Sequence, residues 1–134
     1  MIDMAVRLGS LAMKTPVATA SGTFGYGIEY SGAVDYVALG AISAKGVGLE
    51  PWPGNAMPRH AEVPGGLVNA IGLQGQGVDN FLAYTMPYYA SMNIAGGGMP
   101  PPVIANIWGG SIEEYAEVAR RIDCAGGDVG AIVQ

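Results

Sequence analysis

The sequence predicts an α/β chain built on a parallel sheet, with a β-hairpin ahead of it. Three observations carry this: short apolar runs that do not alternate, helical periodicity between them, and glycine at the junctions. The runs are Pro16–Ala20, Tyr36–Ala44, Pro102–Ile107 and Val129–Val133. Each is apolar at consecutive positions, the pattern of strands buried on both faces. Strands and helices that alternate along a chain give parallel neighbours by the ordinary connection rules.

In chain order, residues 4–14 alternate and turn at Gly9–Ser10, which predicts the hairpin. A short helix is expected over Ile28–Val34. From Gly46 to Gln76 the chain is rich in Gly and Pro and shows neither a helix nor a long strand; excursions of this kind usually serve as binding loops. After Gly77, Val78, Phe81, Leu82, Thr85 and Tyr89 recur at helical spacing with Asp79 in the first turn, and Pro87 should kink or end the helix. The last helix opens on a capping box, Ser111 with Glu114, and places Ile112, Tyr115, Ala116, Ala119 and Ile122 on one face. Arg120 and Arg121 suit its negative end, and Gly126–Gly127 should terminate it.

The 134 residues fit one domain, 1–134. Half of them are hydrophobic (50%) and 13% are charged, so the chain can bury a core. Eleven acids against six bases give a net charge of −5, which opposes nucleic-acid binding. One cysteine and one histidine provide no intrachain disulfide, no four-ligand metal site and no iron–sulfur cluster. A reducing, cytoplasmic setting is expected. Asp3 and Arg7 occupy the place where a signal peptide needs an apolar centre, and no run reaches the roughly 18 apolar residues of a membrane span. No membrane partner is expected.

Polar residues stand where the apolar runs stop: Ser21 after the first, Lys45 and Gly46 after the second, Asn106 within the third. In parallel α/β folds such positions converge on the rim that takes ligands. Ser21 reads equally as a helix cap and Asn106 as a turn residue. Lys45 is the one cation inside an apolar segment and must either snorkel to water or meet an anion, and we favour the anion. NAIGLQGQG, Asn69–Gly77, has glycines that let the main chain approach a flat ligand and an asparagine that offers donor and acceptor; it could also be an ordinary turn. Neither the dinucleotide fingerprint nor the P-loop spacing is present. His60 reads as solvated, Cys124 as a small buried thiol, and the Met and Tyr residues of TMPYYASM as packing. Glu113, Glu114 and Glu117 read as the acids of a helix start and its solvated face.

These residues carry a resemblance. ASGTFGYG (20–27), ISAKG (42–46) followed by LEPWPGN (49–55), then PR, NAIGLQ (69–74), ANI (105–107) and SIEEYAEVARR (111–121) are similar, in order and spacing, to the N-terminal half of class 1 dihydroorotate dehydrogenases, flavoproteins of pyrimidine biosynthesis. NAIGLQ resembles the NAD-linked subclass, in which a partner subunit carries FAD and a 2Fe-2S cluster. The resemblance implies a TIM-type β/α barrel, of which this chain would be the N-terminal half, about four βα units, since such barrels take about 250 residues. It implies FMN held by Ser21, Lys45, Gly46 and Asn106, and dihydroorotate or orotate held by Lys45, Asn69, Ala70, Ile71, Gly72 and Leu73.

The implied reaction removes a proton from C5 of dihydroorotate and passes hydride from C6 to the flavin, with Lys45 as a fixed cation offsetting the charge that develops. The family's base is a cysteine in an N-x-S-C-P-N stretch. That stretch is expected beyond Gln134 and Cys124 does not match it, so no catalytic residue and no metal ligand is expected here. AGGGMPPP (95–102) is longer than the family pattern. A homodimer of the full-length chain with an electron-transfer subunit is the implied assembly, and the fragment alone is expected neither to hold FMN tightly nor to turn over. Two rival readings stand beside this one: another FMN barrel acting on a pyrimidine, similar to dihydropyrimidine dehydrogenase, or a non-catalytic half-barrel that works only by association through its open sheet edge.

Overall fold

The computed structural model describes residues 3–92, 100–125 and 132–133. The chain opens on the expected antiparallel hairpin, β1 (Val6–Leu8) and β2 (Leu11–Met13), turned at Gly9 with φ 61°. Residues 16–20 then run beside the next strand but pair with it only at Ala18, opposite Ala41 in parallel sense. A full strand over Pro16–Ala20 is therefore corrected to a single bridge. The Thr19 hydroxyl explains the lapse: its Oγ1 accepts from the Ser43 N–H at 2.8 Å and donates to the Ser43 carbonyl at 3.3 Å, so a side chain occupies the ladder's place.

A one-turn helix follows, α1 (Ser21–Phe24). The helix expected over Ile28–Val34 contracts to a 3-10 turn, Ile28–Tyr30, entered through Gly27 at φ 81°. The second strand is displaced. Tyr36–Ala38 forms another 3-10 turn, capped by the Asp35 carboxylate accepting from the Val37 N–H at 3.0 Å, and β3 occupies Ile42–Val47 instead of Tyr36–Ala44. Gly40 marks the constraint, because a Cβ there would lie 1.9 Å from the Thr15 carbonyl oxygen. The chain extends only after that close passage. Lys45 consequently lies inside a strand rather than past its end.

The stretch expected to lack regular structure contains a second hairpin, β4 (His60–Val63) and β5 (Gly66–Asn69), with His60 opposite Asn69 and Gly65 at φ 86° in the turn. Every residue of both strands is exposed, so no burial-linked alternation marks it in the sequence. The helix after Gly77 exists as three consecutive pieces: α2 (Gly77–Asn80), a π-helical turn (Phe81–Thr85) and α3 (Met86–Ser91). Pro87 sits in the first turn of α3, where its missing N–H is tolerated, and the widened turn ahead of it absorbs the change. β6 (Val103–Ile107) follows the prediction.

The last helix, α4 (Ile112–Cys124), is capped as expected, with Ser111 Oγ accepting from the Glu114 N–H at 3.2 Å, while the Glu114 carboxylate accepts from the Gly110 N–H at 2.7 Å. Gly126–Gly127, part of AGGGMPPP and Val129–Ala131 lie outside the described residues; β7 is Ile132–Val133.

β3, β6 and β7 form a parallel sheet in chain order, with Ile42 opposite Val103, Ala44 opposite Ala105, and Ile104 opposite Ile132. One face carries Ile42, Ala44, Val47, Val103 and Ala105 against Val78, Phe81, Tyr89, Val118 and Ile122 of the helices. On the other face Ile104 and Ala41 meet Leu11 and Met13 of the first hairpin. Two expectations about α4 are corrected. It buries Val118 and Ile122 against the core while Ile112, Tyr115 and Ala116 are exposed, and Arg121 reaches Asp79 of α2 at 2.8 Å. Cys124 is exposed rather than buried.

Candidate functional site

Between Ala44/Ala105 and Val47/Ile107 the register shifts, so Lys45 and Gly46 of β3 stand opposite the single residue Asn106 of β6. This is a β-bulge, a device that re-aims a side chain at the cost of ladder hydrogen bonds. The lost bonds are replaced from outside the ladder. The Lys45 N–H donates to the Gly25 carbonyl at 2.8 Å, Asn106 Nδ2 donates to the Ala44 carbonyl at 2.9 Å and to Ser43 Oγ at 3.2 Å, and the Trp108 N–H donates to the Val47 carbonyl at 3.0 Å. Asn106 thus shares with Ser43 the face opposite the helices.

Lys45 opens on a cleft of about 530 Å³ whose walls include Gly25, Tyr26, Glu29, Trp52 and Gln74–Gln76. Tyr26 crosses this wall, its hydroxyl donating to the Gly46 carbonyl at 3.4 Å. Burial pushes the Tyr26 phenol above its ordinary value, with the Glu29 carboxylate adding to the effect against an opposing backbone hydrogen bond at Gln76, so Tyr26 stays a neutral donor. Among the described residues the ion pairs all involve α4, so Lys45 meets no protein anion there.

The remaining predicted residues are arranged differently. Ser21 is the first residue of α1, which packs against β3; its hydroxyl caps nothing, Ala20 being the N-cap. Asn69 ends β5 opposite His60 and is exposed. The Ala70 N–H donates to the Arg59 carbonyl at 2.8 Å, and the carbonyls of Ala70 and Ile71 accept from Asn55 Nδ2 and N at 2.8 and 2.9 Å. The Gly72 carbonyl accepts from Trp52 Nε1 at 2.9 Å, and Gly72 and Leu73 both take left-handed backbones, φ 78° and 57°. The structure therefore brings Lys45, Gly46 and Asn106 together with α1 beside them. It holds Asn69–Leu73 as a ribbon, exposed at Asn69, Ala70 and Leu73 and half-buried at Ile71 and Gly72, laced to residues 52–59 and reaching the cleft through Gln74–Gln76.

Sequence reasoning missed Tyr26, Trp52, Gln74, Gln76 and Trp108. Gln74 and Gln76 lay within the motif singled out; Gln74 is oriented by Arg59, whose Nη2 donates to its Oε1 at 2.7 Å. Trp108, two residues past Asn106, could have been found from strand alternation alone. Its indole lies across Gly46 and Gly48, and its Nε1 is buried with no hydrogen-bond partner, an arrangement that costs about 1–3 kcal/mol. Among the described residues no three His, Cys, Asp or Glu side chains gather as a metal site, and no helix is long and apolar enough to cross a membrane.

Comparison with known proteins places this geometry in context. The family model described as "Dihydroorotate dehydrogenase" matches residues 3–133. The chain is 45% identical over 128 residues to a protein of Geobacter sp. (strain M21) named "Dihydroorotate dehydrogenase B (NAD(+)), catalytic subunit", covering 96% of this chain and 40% of that one. Proteins of the same name from Pelobacter propionicus and Desulforamulus reducens are each 48% identical, over 90% and 94% of this chain and 38% and 39% of theirs. The chain spans about 40% of the length of the curated relatives it matches. Among solved structures, a dihydroorotate dehydrogenase from Eimeria tenella in complex with ferulenol superposes with a TM-score of 0.66 at 15% identity, over 98% of this chain and 36% of the other, a likeness of fold.

Proposed function

The chain belongs to the dihydroorotate dehydrogenase family, and we propose that it forms the first part of an FMN-dependent β/α barrel that oxidises dihydroorotate to orotate in pyrimidine biosynthesis, in the manner of the NAD-linked type. The parallel succession of residue 18, β3, β6 and β7 supports the barrel reading, since consecutive βα units lay down neighbouring strands in chain order. The observation that carries the functional reading is the bulge. It places Lys45, which stands opposite Asn106 in the sheet, on the wall of the cleft, where its ammonium has no ion-pair partner among the described residues.

The wall carries one cation, Lys45, and one carboxylate, Glu29, with Gly25, Gly75 and Trp52 around them. Gly75 approaches the Gly46 carbonyl and the Tyr26 hydroxyl so closely that a Cβ there would lie 3.2 and 3.3 Å from them. FMN, when bound, supplies the hydride acceptor. Lys45 orients the ligand and offsets negative charge as it develops, a preorganised role that costs no reorganisation during the reaction. Ser21, Gly46 and Asn106 hold the flavin, and Asn69, Ala70, Ile71, Gly72 and Leu73 hold the pyrimidine. Tyr26 keeps the Gly46 carbonyl in place. The proton acceptor at C5 is not assigned to any residue of this chain. A homodimer, an electron-transfer subunit bearing FAD and a 2Fe-2S cluster, and a cytoplasmic setting complete the proposal; the relatives' printed designation as a catalytic subunit supports a further subunit.

Co-expression with the C-terminal portion of the Pelobacter propionicus relative tests it. The expected product is a yellow complex bleached by dihydroorotate, and Lys45→Ala should abolish bleaching with the circular dichroism unchanged. A Lys45→Ala complex that bleaches at the parent rate would overturn the assignment.

A further inference from the structure

We infer that Trp108 is a positioning residue for Lys45: its indole is the strut that holds the bulged end of β3. The evidence is steric. A Cβ at Gly46 would stand 3.1 Å from Trp108 Cδ1, and one at Gly48 would stand 2.6 Å from Cζ2. The ring therefore lies against the main chain on both sides of Val47; glycine at 48 is what admits it, and a Cβ at 46 would press it back by a few tenths of an ångström. Main chain joins the same two segments, since the Trp108 N–H donates to the Val47 carbonyl at 3.0 Å. Val47 itself faces the helices and is fully buried, so the segment is gripped from both faces just past Lys45 and Gly46.

A bulge needs such a grip. Its extra residue leaves the ladder, and the main chain there is free to relax into the neighbouring register unless something outside the ladder resists. Tyr26 restrains the Gly46 carbonyl through one 3.4 Å hydrogen bond. The indole supplies contact along the other side. Gly48 does not occupy the left-handed region, so alanine is excluded there by the ring and not by backbone strain.

The inference builds on the reading of Lys45 as the ligand cation, but its test needs no flavin, so the two can fail separately. Lys14 and Lys45 are the only lysines of the chain, and Lys14 lies one residue past β2 in the first hairpin. Competitive acetylation of the folded chain, read by peptide mass spectrometry, gives the Lys45/Lys14 rate ratio with Lys14 as internal reference. W108A should raise this ratio by roughly threefold or more as the bulge loosens. W108F, which keeps a ring face on the glycines, should stay near the parent. G48A should copy W108A by expelling the ring, and G48A added to W108A should change nothing further, because the clash it creates is then gone. An unchanged ratio in W108A, a rise shared equally by Lys14, a W108F variant that behaves as W108A, or strictly additive effects of G48A and W108A would each overturn the strut.

Discussion

Asn106 donates its side-chain amide to the Ala44 main-chain carbonyl at 2.9 Å, at the point where one strand has a residue more than its neighbour. A side chain there performs a main-chain task. Asn106→Leu should accordingly cost about 1–3 kcal/mol, the usual consequence of leaving a part-buried acceptor without its donor, seen as a lower urea midpoint with an unchanged slope. Asn106→Asp, which cannot donate when ionised, should fall in the same range.

Acid should weaken the ion pairs that Glu117 makes along α4. Hydrogen bonds from Arg120 and Arg121 pull Glu117 down to about 2 from an ordinary 4.5. A carboxylate depressed in the folded state contributes stability that is complete above its unfolded value and disappears as pH falls from about 4.5 towards 2. Urea midpoints should therefore decline across that window. Glu117→Gln should flatten the decline.

Alkali acts through phenols. Burial, reinforced by Tyr88 and Glu29, raises Tyr36 to about 12, and burial likewise raises Tyr26 and Tyr89. The folded chain should keep these phenols protonated above pH 10, the unfolded chain should ionise them there, and stability should fall from pH 10 upward. Phenolate absorbance from Tyr26, Tyr36 and Tyr89 should then appear only with loss of the native dichroism.

Neighbouring left-handed residues should respond differently to substitution. Leu73→Gly relieves about 1 kcal/mol of backbone strain while adding a similar freedom to the unfolded chain, so its melting temperature should barely move. Gly72→Ala has no such offset: it places a Cβ 2.7 Å from the Asn55 side chain on a backbone of φ 78°. Thermal melts should show a loss of about 1–2 kcal/mol for that variant.

What the sequence made legible follows from how locally each feature is encoded. The first hairpin, β6 and the cap at Ser111 are written within a few residues, in alternation, an apolar run and a side-chain acceptor three positions before its donor. The strand holding Lys45 was misplaced by several residues because its start depends on Thr15 pressing against Gly40, a contact 25 positions apart in number that periodicity does not encode. The β4–β5 hairpin escaped notice since both its faces meet solvent. Lys45, Gly46 and Asn106 were found as a group because a polar residue interrupts each apolar run. Their true relation, two residues facing one, is tertiary. Asn69–Leu73 were picked out for glycine and amide chemistry, and the ribbon they form against Asn55 and Trp52 depends on partners over ten residues away.

The direction in which Lys45 points is set by counting rather than by chemistry. Exchanging its side chain for another leaves the count intact, so a replacement at 45 still leans into the same space, and charge and length can vary without disturbing the aim. Removing one residue between Ala44 and Val47 is a different matter: the strands would come into step, and whatever stood at 45 would swing by half a pleat. Drift by point mutation can thus retune the tip of this arm, whereas only an insertion or deletion can turn it elsewhere.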